Sequence, residues 1–115
     1  MTIQIVKDKI SRDTLREIAK NQFGNFVKAV VDIENEIMAV GADLHADEEA
    51  LLLGQGHRQA SLWGINLYPE KLGDDFVEFD SMINIRPSQK NTSRSVEDAR
   101  VREKIMKVVQ KLIPD

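Results

Sequence analysis

The chain has 115 residues, of which 42% are hydrophobic and 30% charged, a composition typical of one globular domain. Its 16 basic and 19 acidic residues give a formal charge of -3, which argues against a surface that gathers nucleic acid or anionic lipid. Cysteine is absent, which excludes disulfides and thiolate chemistry and suits a reducing compartment, so we expect a cytoplasmic protein.

The charged residues Lys7 and Asp8 occur before any long apolar run, so we expect no signal peptide. The longest apolar stretches, such as residues 37–42, are far shorter than the roughly 20 residues that cross a bilayer. We therefore expect neither a membrane span nor a membrane partner, and a single domain over residues 1–115.

The N-terminal segment predicts a helix, with a short edge strand before it. Residues 3–5 alternate apolar and polar side chains, as an edge strand does. Ser11 is a good N-cap, apolar side chains then recur at helical spacing, and Gly24 is a natural stop. This pattern predicts a helix over 12–23.

The next segment predicts a β-hairpin followed by a short helix. Residues 26–33 are rich in β-branched side chains, and residues 37–44 resume the pattern after a polar interruption. Carboxylates from Asp47 onward then precede the apolar run 50–53, which places acidic groups in the first turn of a helix that ends at Gly54.

The second half predicts another hairpin and a last helix. Strands are predicted over 62–68 and 76–86, the first with Trp63, Ile65 and Leu67 on one face and the second with Phe79, Ile83 and Ile85 on one side. A polar loop follows Pro87, and the spacing from Ser95 to Asp98 predicts a capping box that starts the last helix. That helix carries a continuous apolar stripe, which consists of Val101, Ile105, Val108, Val109 and Leu112.

This order predicts an α+β fold with an antiparallel sheet of about four strands and three helices, in the order α-β-β-α-β-β-α. The most economical arrangement packs the helices on one face of the sheet.

A polar loop between a predicted strand end and a predicted helix start is the first candidate site. Unpaired N–H groups at a helix start, together with cationic side chains, can hold a phosphate or carboxylate. The rival interpretation is that the loop's polar groups only cap the helix and shape the turn. The loop spans residues 86–95, and its candidate ligand-binding residues are Arg86, Gln89, Asn91, Ser93 and Arg94.

One face of the predicted second hairpin is the second candidate site, because its alternate residues are all polar. An antiparallel sheet with one solvated face gives the same alternation. If helices cover both faces, however, these groups would need partners and would indicate a cleft. The residues are Asn66, Tyr68, Glu78, Asp80, Asn84 and Arg86.

We expect no metal and no cofactor. His45, Asp47, Glu48, Glu49 and His57 are of metal-binding types, but no recognised ligand spacing is present. The carboxylates at the helix start are already explained by their favourable interaction with the helix dipole.

Several phrases along the chain resemble a family of short uncharacterised prokaryotic proteins that are grouped as a domain of unknown function. They are residues 27–33, the LHAD sequence of 44–47, the LWGINLYP sequence of 62–69, the INIRPSQ sequence of 83–89, and residues 95–98. The resemblance spans nearly the whole chain and implies one domain, but it implies no activity.

Two classes of function remain open. The first is a small binding or interaction module with an anion site in the loop 86–95 and a surface for a protein partner or a second copy. The second is an enzyme that performs acid-base chemistry on a phosphorylated or carboxylated metabolite, with Glu78, Asp80 or His45 as the catalytic group and Arg86 as the anion clamp. Nucleic acid is disfavoured because only one Trp and one Tyr are present for stacking.

Overall fold

The computed structural model describes residues 2–114, which form a five-stranded antiparallel sheet and three α-helices. The strands are adjacent in the order β1-β3-β2-β4-β5. The α+β class is thus confirmed, whereas the prediction of about four strands in the order α-β-β-α-β-β-α is wrong, because the N-terminal segment is a strand that pairs with β3 and precedes α1. The elements are β1 (Gln4–Val6), α1 (Arg12–Lys20), β2 (Val27–Asp32), β3 (Ile37–Val40), α2 (His45–Gly54), β4 (Leu62–Leu67), β5 (Val77–Glu78) and α3 (Ala99–Leu112).

Helices cover both faces of the sheet, so the prediction that they pack on one face is wrong. Leu15 of α1 and Ile105 of α3 belong to the larger core, which also contains Val31 of β2. Leu52 of α2 packs on the opposite face, against Val30. The physical reason is that β3 is apolar on both faces and β2 adds Val30 to the second face, and a sheet with apolar residues on both sides needs a layer on each.

The hairpin of β2 and β3 is confirmed, but the first helix is shorter than expected. Ser11 caps α1 as predicted, with its hydroxyl accepting the Thr14 N–H at 3.1 Å. The helix ends at Lys20, because Gly24 adopts a φ of +94° and its N–H returns to the Ala19 carbonyl at 2.6 Å.

The last helix begins later than the predicted capping box. Its N-cap is Asp98, whose carboxylate accepts the Arg100 N–H at 2.8 Å, and Ser95 lies outside the helix. The predicted apolar stripe is confirmed as the buried face of α3, since Ile105, Val108, Val109 and Leu112 are all buried.

The predicted strand over 76–86 is wrong beyond Glu78. Only Val77 and Glu78 pair with β4, and the chain then forms 3₁₀ turns over Met82–Asn84 and Pro87–Gln89. Phe79 and Ile83, expected on one side of a strand, pack against opposite cores. The Ser81 hydroxyl accepts the Ile83 N–H at 3.2 Å and so favours a turn over extended backbone.

Candidate functional site

A cleft of about 490 Å³ opens on the α2 side of the sheet, at the place where β5 separates from β4. Its walls come from β2, the start of α2, β4, β5 and the segment that follows β5. We name it the α2 cleft, and its lining residues are Phe26, Lys28, Leu44, His45, Ala46, Asn66, Tyr68, Glu78, Asp80, Ser81, Met82, Ile83 and Arg94.

His45, the first residue of α2, is buried in this cleft with a fixed ring orientation. Its Nε2 lies 2.8 Å from the Ile65 carbonyl, which can only accept, so Nε2 carries a proton. Burial and, to a smaller extent, the charge of Lys28 lower the pKa of His45 from its usual value, although the Ile65 carbonyl, Asp80 and the Asn66 side chain favour the charged form. The ring is therefore neutral at pH 7, and its Nδ1 keeps a lone pair.

Three polar residues form a row across neighbouring strands. Lys28 of β2 is opposite Asn66 of β4, which is opposite Glu78 of β5. Asn66 Nδ2 donates to Glu78 Oε1 at 2.8 Å, and the Tyr68 hydroxyl donates to the same oxygen at 3.0 Å. Sequence periodicity thus correctly placed Asn66, Tyr68 and Glu78 side by side.

Two members of this row have a polar group without a polar partner, although Lys28 Nζ lies 4.9 Å from the centroid of the Phe23 ring. Within residues 2–114, no carboxylate lies within ion-pair distance of the half-buried Lys28. Asn66 is only 6% exposed, and its Oδ1 has no hydrogen-bond partner among the described residues. The amide cannot simply be reversed, because its nitrogen faces Glu78 Oε1 and the Asp80 carbonyl, which are both acceptors.

The mouth of the cleft carries an ion pair and two exposed apolar side chains. Arg94 Nε lies 2.6 Å from Asp80 Oδ1. Leu44 is 55% exposed and Met82 is 64% exposed. Leu44 is also the N-cap of α2 and offers no side-chain acceptor; the Asp47 N–H donates to the Leu44 carbonyl at 3.2 Å, which leaves the N–H groups of His45 and Ala46 for another partner.

Glu48 lies one helical turn after His45 and is fully buried. The Ala42 N–H donates to its Oε2 at 3.0 Å, whereas its Oε1 has no partner among the described residues. Burial raises the pKa of Glu48 from 4.5 to about 9, with Lys28 acting in the opposite direction. Glu48 is therefore a neutral acid at pH 7.

The predicted anion clamp Arg86 has a different set of partners. Its guanidinium donates to the carbonyls of Ile83 at 2.9 Å, Gln59 at 2.7 Å and Leu62, and it lies over the Trp63 ring. These contacts give Arg86 a structural role, and it is outside the lining of the α2 cleft.

The other predicted residues of the loop 86–95 also bond mainly within the protein. Gln89 accepts from Arg86 at 3.2 Å, and Asn91 Nδ2 donates to the carbonyls of Asn84 and Ser95, each at 2.7 Å. The N–H groups of Thr92 and Ser93 both donate to Glu97 Oε2 at 2.8 Å. The loop therefore does bind an anion, but that anion is the chain's own Glu97 carboxylate, whose pKa is lowered by the Ser93 and Thr92 groups.

Asn84 supports the cleft from outside its lining. Its side-chain amide bonds the N–H and the C=O of Gly64, each at 2.9 Å. Of the polar face predicted from the sequence, Asn66, Tyr68, Glu78 and Asp80 line the cleft, whereas Asn84 and Arg86 do not.

Sequence reasoning did not single out Lys28, and it named Glu48 only as a residue of metal-binding type, not as a buried neutral acid. A signal for Lys28 was present, since it is the one charged residue in the apolar run from Phe26 to Val31. Glu48 gave no such signal, because a carboxylate in the first turn of a helix is ordinary.

A family model described as "Protein of unknown function (DUF5674)" matches residues 4–112. The chain belongs to this family. The match confirms the resemblance to a family of unknown function, and it covers every helix and strand described above. Neither the curated proteins nor the solved structures contain a match to this DUF5674 chain.

Within residues 2–114, no three His, Asp or Glu side chains are grouped so that they could hold a metal ion. No helix in the same range has both the length and the apolar character for a bilayer crossing.

Proposed function

We propose that this protein binds a small anionic metabolite in the α2 cleft and that His45 acts there as an acid-base residue. The observation that carries the proposal is the meeting of Lys28, a half-buried lysine without a carboxylate partner, and a buried, oriented histidine in one cleft. A cleft of about 490 Å³ is of the size that holds metabolites.

The anion would bind between Lys28 and the start of α2. The N–H groups at a helix start favour negative charge, and here no side chain caps them. The nearby Arg94 is already paired with Asp80, so Lys28 is the cation available for the ligand. Arg94, in its pair with Asp80, would instead narrow the mouth of the cleft.

The base would be His45 Nδ1. Nε2 is held by the Ile65 carbonyl, which fixes both the tautomer and the ring plane. A neutral imidazole at pH 7 can remove a proton, and the Ile65 carbonyl and Asp80 favour the charged ring that results, whereas Lys28 opposes it until an anion neutralises its charge. Glu78 is a weaker candidate for this role because its Oε1 already accepts from Asn66 and Tyr68.

The test is solution NMR of the two histidine rings during titration with a library of phosphorylated and carboxylated metabolites. A ligand is expected to shift the His45 signals, whereas His57, bound to Asp32 at 2.7 Å outside the cleft, serves as the internal reference. Equal movement of both rings, or of neither across the whole library, would contradict the proposed binding.

Catalysis is tested separately with His45→Gln, since a glutamine amide can still donate to the Ile65 carbonyl. Each ligand found is incubated in deuterated water, and mass spectrometry records deuterium entering its C–H positions. The wild type is expected to promote exchange or conversion, and the variant to bind with similar affinity but to lose that activity. Binding without any turnover would support the second candidate, a non-catalytic binding domain.

A further inference from the structure

We propose that Asn66 is the positioning residue of His45: when the ring takes up a proton at Nδ1, the new N–H donates to Asn66 Oδ1. The inference rests on the proposed function of the α2 cleft, and it states how proton uptake by the base is coupled to binding of the anion. It also gives a reason for a buried amide oxygen that has no hydrogen bond while His45 is neutral.

Only one ring nitrogen of His45 is committed to the fold. Nε2 donates to the Ile65 carbonyl at 2.8 Å, so the neutral ring has its lone pair on Nδ1. Nδ1 can then accept a hydrogen bond but cannot donate one. A second proton on this buried ring therefore has one place to bind, which is Nδ1.

The free polar atom of Asn66 is its oxygen. Nδ2 donates to Glu78 Oε1 at 2.8 Å and to the Asp80 carbonyl at 3.3 Å, and these two acceptors fix the orientation of the amide. Oδ1 is buried and has no partner among the described residues. Such an acceptor destabilises the folded protein until a donor reaches it.

The fold brings these two unpaired acceptors into the same place. Asn66 directly follows Ile65, whose carbonyl holds the ring, and both Asn66 and His45 line the α2 cleft. The Asn66 side chain also raises the pKa of His45, as an amide oxygen does when it accepts a ring N–H. Because Nε2 is already bonded to Ile65, that N–H is the one on Nδ1. Nδ1 and Oδ1 are thus two acceptors when the ring is neutral, and a donor and an acceptor once it is charged.

The charges around the ring couple this proton to the anion. Lys28 opposes a charged His45, whereas Asp80 favours it. An anion bound at Lys28 offsets the opposing charge, so it should raise the pKa of His45 and, by linkage, bind more tightly once the ring is charged. Further titratable groups of the cleft lining and of the α2 start are Asp47, Glu48, Glu49, Tyr68, Glu78 and Arg94.

The pairing suits the acid-base role proposed for His45. Nδ1 takes a proton from the ligand, the electron pair of the broken bond stays on the ligand, and Asn66 Oδ1 accepts the new N–H. The charged ring is then held by Ile65 at one nitrogen and by Asn66 at the other, which keeps its orientation for the return of the proton.

Solution NMR of the full chain between about pH 4.5 and pH 8 tests the pairing directly. As the ring becomes charged, the His45 Nδ1–H signal is expected to appear, and the Asn66 Cγ signal is expected to move with the same midpoint. Asn84 is the matched control, because its Oδ1 already accepts the Gly64 N–H and its Cγ should not follow His45. A ring that stays neutral throughout, or an Asn66 Cγ that does not follow it, overturns the inference.

Asn66→Ala tests whether the amide oxygen increases the proton affinity of the ring. The His45 midpoint is expected to lie at lower pH in the variant, and the Nδ1–H signal to be lost by exchange with water while Nε2–H remains. Tyr68→Phe is the control, since it also removes a hydrogen bond to Glu78 Oε1 but keeps Asn66 Oδ1. Equal midpoints in wild type and folded Asn66→Ala overturn the inference. If that variant does not fold, the Asn66 Cγ titration of the wild type decides.

Sulfate measures the coupling to the anion, because its charge does not change in this pH range. Saturating sulfate is expected to raise the His45 midpoint above that in sodium chloride of equal ionic strength, and to do so in the wild type but not in Lys28→Met. Each binder from the metabolite library is measured in the same way. Bound anions that leave the midpoint at its sodium chloride value, or that raise it equally in Lys28→Met, overturn the coupling.

The outcomes separate the inference from the function on which it rests. If a library metabolite shifts His45 but Asn66 does not titrate with the ring, the positioning role is wrong and the proposed function stands. If Asn66 follows His45 but neither sulfate nor any metabolite reaches the ring, the proton site is correct and the anion-binding function is wrong. If both tests fail, both proposals are overturned.

Discussion

The Asn84 side chain takes the place of a missing strand residue opposite Gly64. Its Oδ1 accepts the Gly64 N–H and its Nδ2 donates to the Gly64 carbonyl, both at 2.9 Å, as an antiparallel neighbour would. β5 pairs only with Asn66 and Leu67, so the rest of this edge of β4 relies on side chains. Arg86 likewise donates to the Leu62 carbonyl, whereas Ile65, whose carbonyl His45 contacts, is paired with Ala29 of β2.

Asn84→Asp tests this replacement of a strand by a side chain. The new carboxylate oxygen would face the carbonyls of Gly64 and Arg94, to which the Asn84 amide nitrogen now donates. We expect a loss of about 3 kcal/mol in the free energy of unfolding, because buried oxygen acceptors would face one another with no hydrogen between them. Urea denaturation measures it, with the exposed Asn25→Asp as the control. Similar losses in both variants would refute the structural role of Asn84.

Gly64→Ala tests how closely the segment after β5 approaches the sheet. An added Cβ would lie 2.5 Å from Ser81 Cβ and 3.1 Å from Ile83 Cγ1. We expect destabilisation of about 1–3 kcal/mol, which is typical of overpacking. Gly54→Ala is the matched control, because nothing lies within 4 Å of its added Cβ.

The overpacking explanation has its own check in a double-mutant cycle. Ser81→Gly removes the side chain that the Cβ added by Gly64→Ala would meet, so the double variant should lose less stability than the sum of the single losses. Strict additivity would show that Gly64 matters for another reason.

Arg86→Lys separates a structural arginine from an anion clamp. Lysine keeps the positive charge but cannot reproduce the fork that reaches the carbonyls of Gln59, Leu62 and Ile83. We expect a stability loss of about 2 kcal/mol, with the ligand affinity of the remaining folded protein unchanged. Thermal unfolding and ligand titration measure the two effects, and Arg58→Lys at an exposed site is the control. If the variant keeps its stability but loses ligand binding, the hypothesis that Arg86 is the anion clamp would be correct.

Glu48 makes the stability of the protein depend on pH. Between its unfolded pKa near 4.5 and its folded pKa of about 9, the folded state keeps a proton that the unfolded state releases. The stabilising contribution is complete below the lower value and is lost as the pH rises. Stability should therefore fall by up to about 1.4 kcal/mol per pH unit from this group.

Glu48→Gln should remove that slope, because glutamine is neutral at every pH. We expect urea unfolding between about pH 5 and pH 8 to show a shallower pH dependence in the variant than in the wild type. Glu103→Gln, on the exposed side of α3, should retain the wild-type slope. Parallel slopes for wild type and Glu48→Gln would mean that Glu48 ionises freely in the folded state.

Part of the candidate site could be predicted from the sequence because it depends on strand periodicity. Asn66 in β4 and Tyr68 just after it are two residues apart in extended backbone, so their shared face follows from local geometry alone. The presence of His45 in the cleft could not be predicted in this way, because it depends on where α2 packs, and the alternation of residues along the strands does not specify that. Lys28 joined the site through its pairing with Asn66, which is fixed by the packing of β2 against β4.

The sequence by itself determined the α+β class, the strands β2, β3 and β4, and the buried faces of α1 and α3, because periodicity and capping act over a few residues. Only the tertiary structure decided that α2 covers the second face, that β5 stops at Glu78, and which polar residues bond within the fold. Asn84 meets Gly64 and Arg86 meets Gln59 although each pair is separated by a long stretch of sequence. Such partners are chosen by packing between distant segments, and no local pattern encodes them.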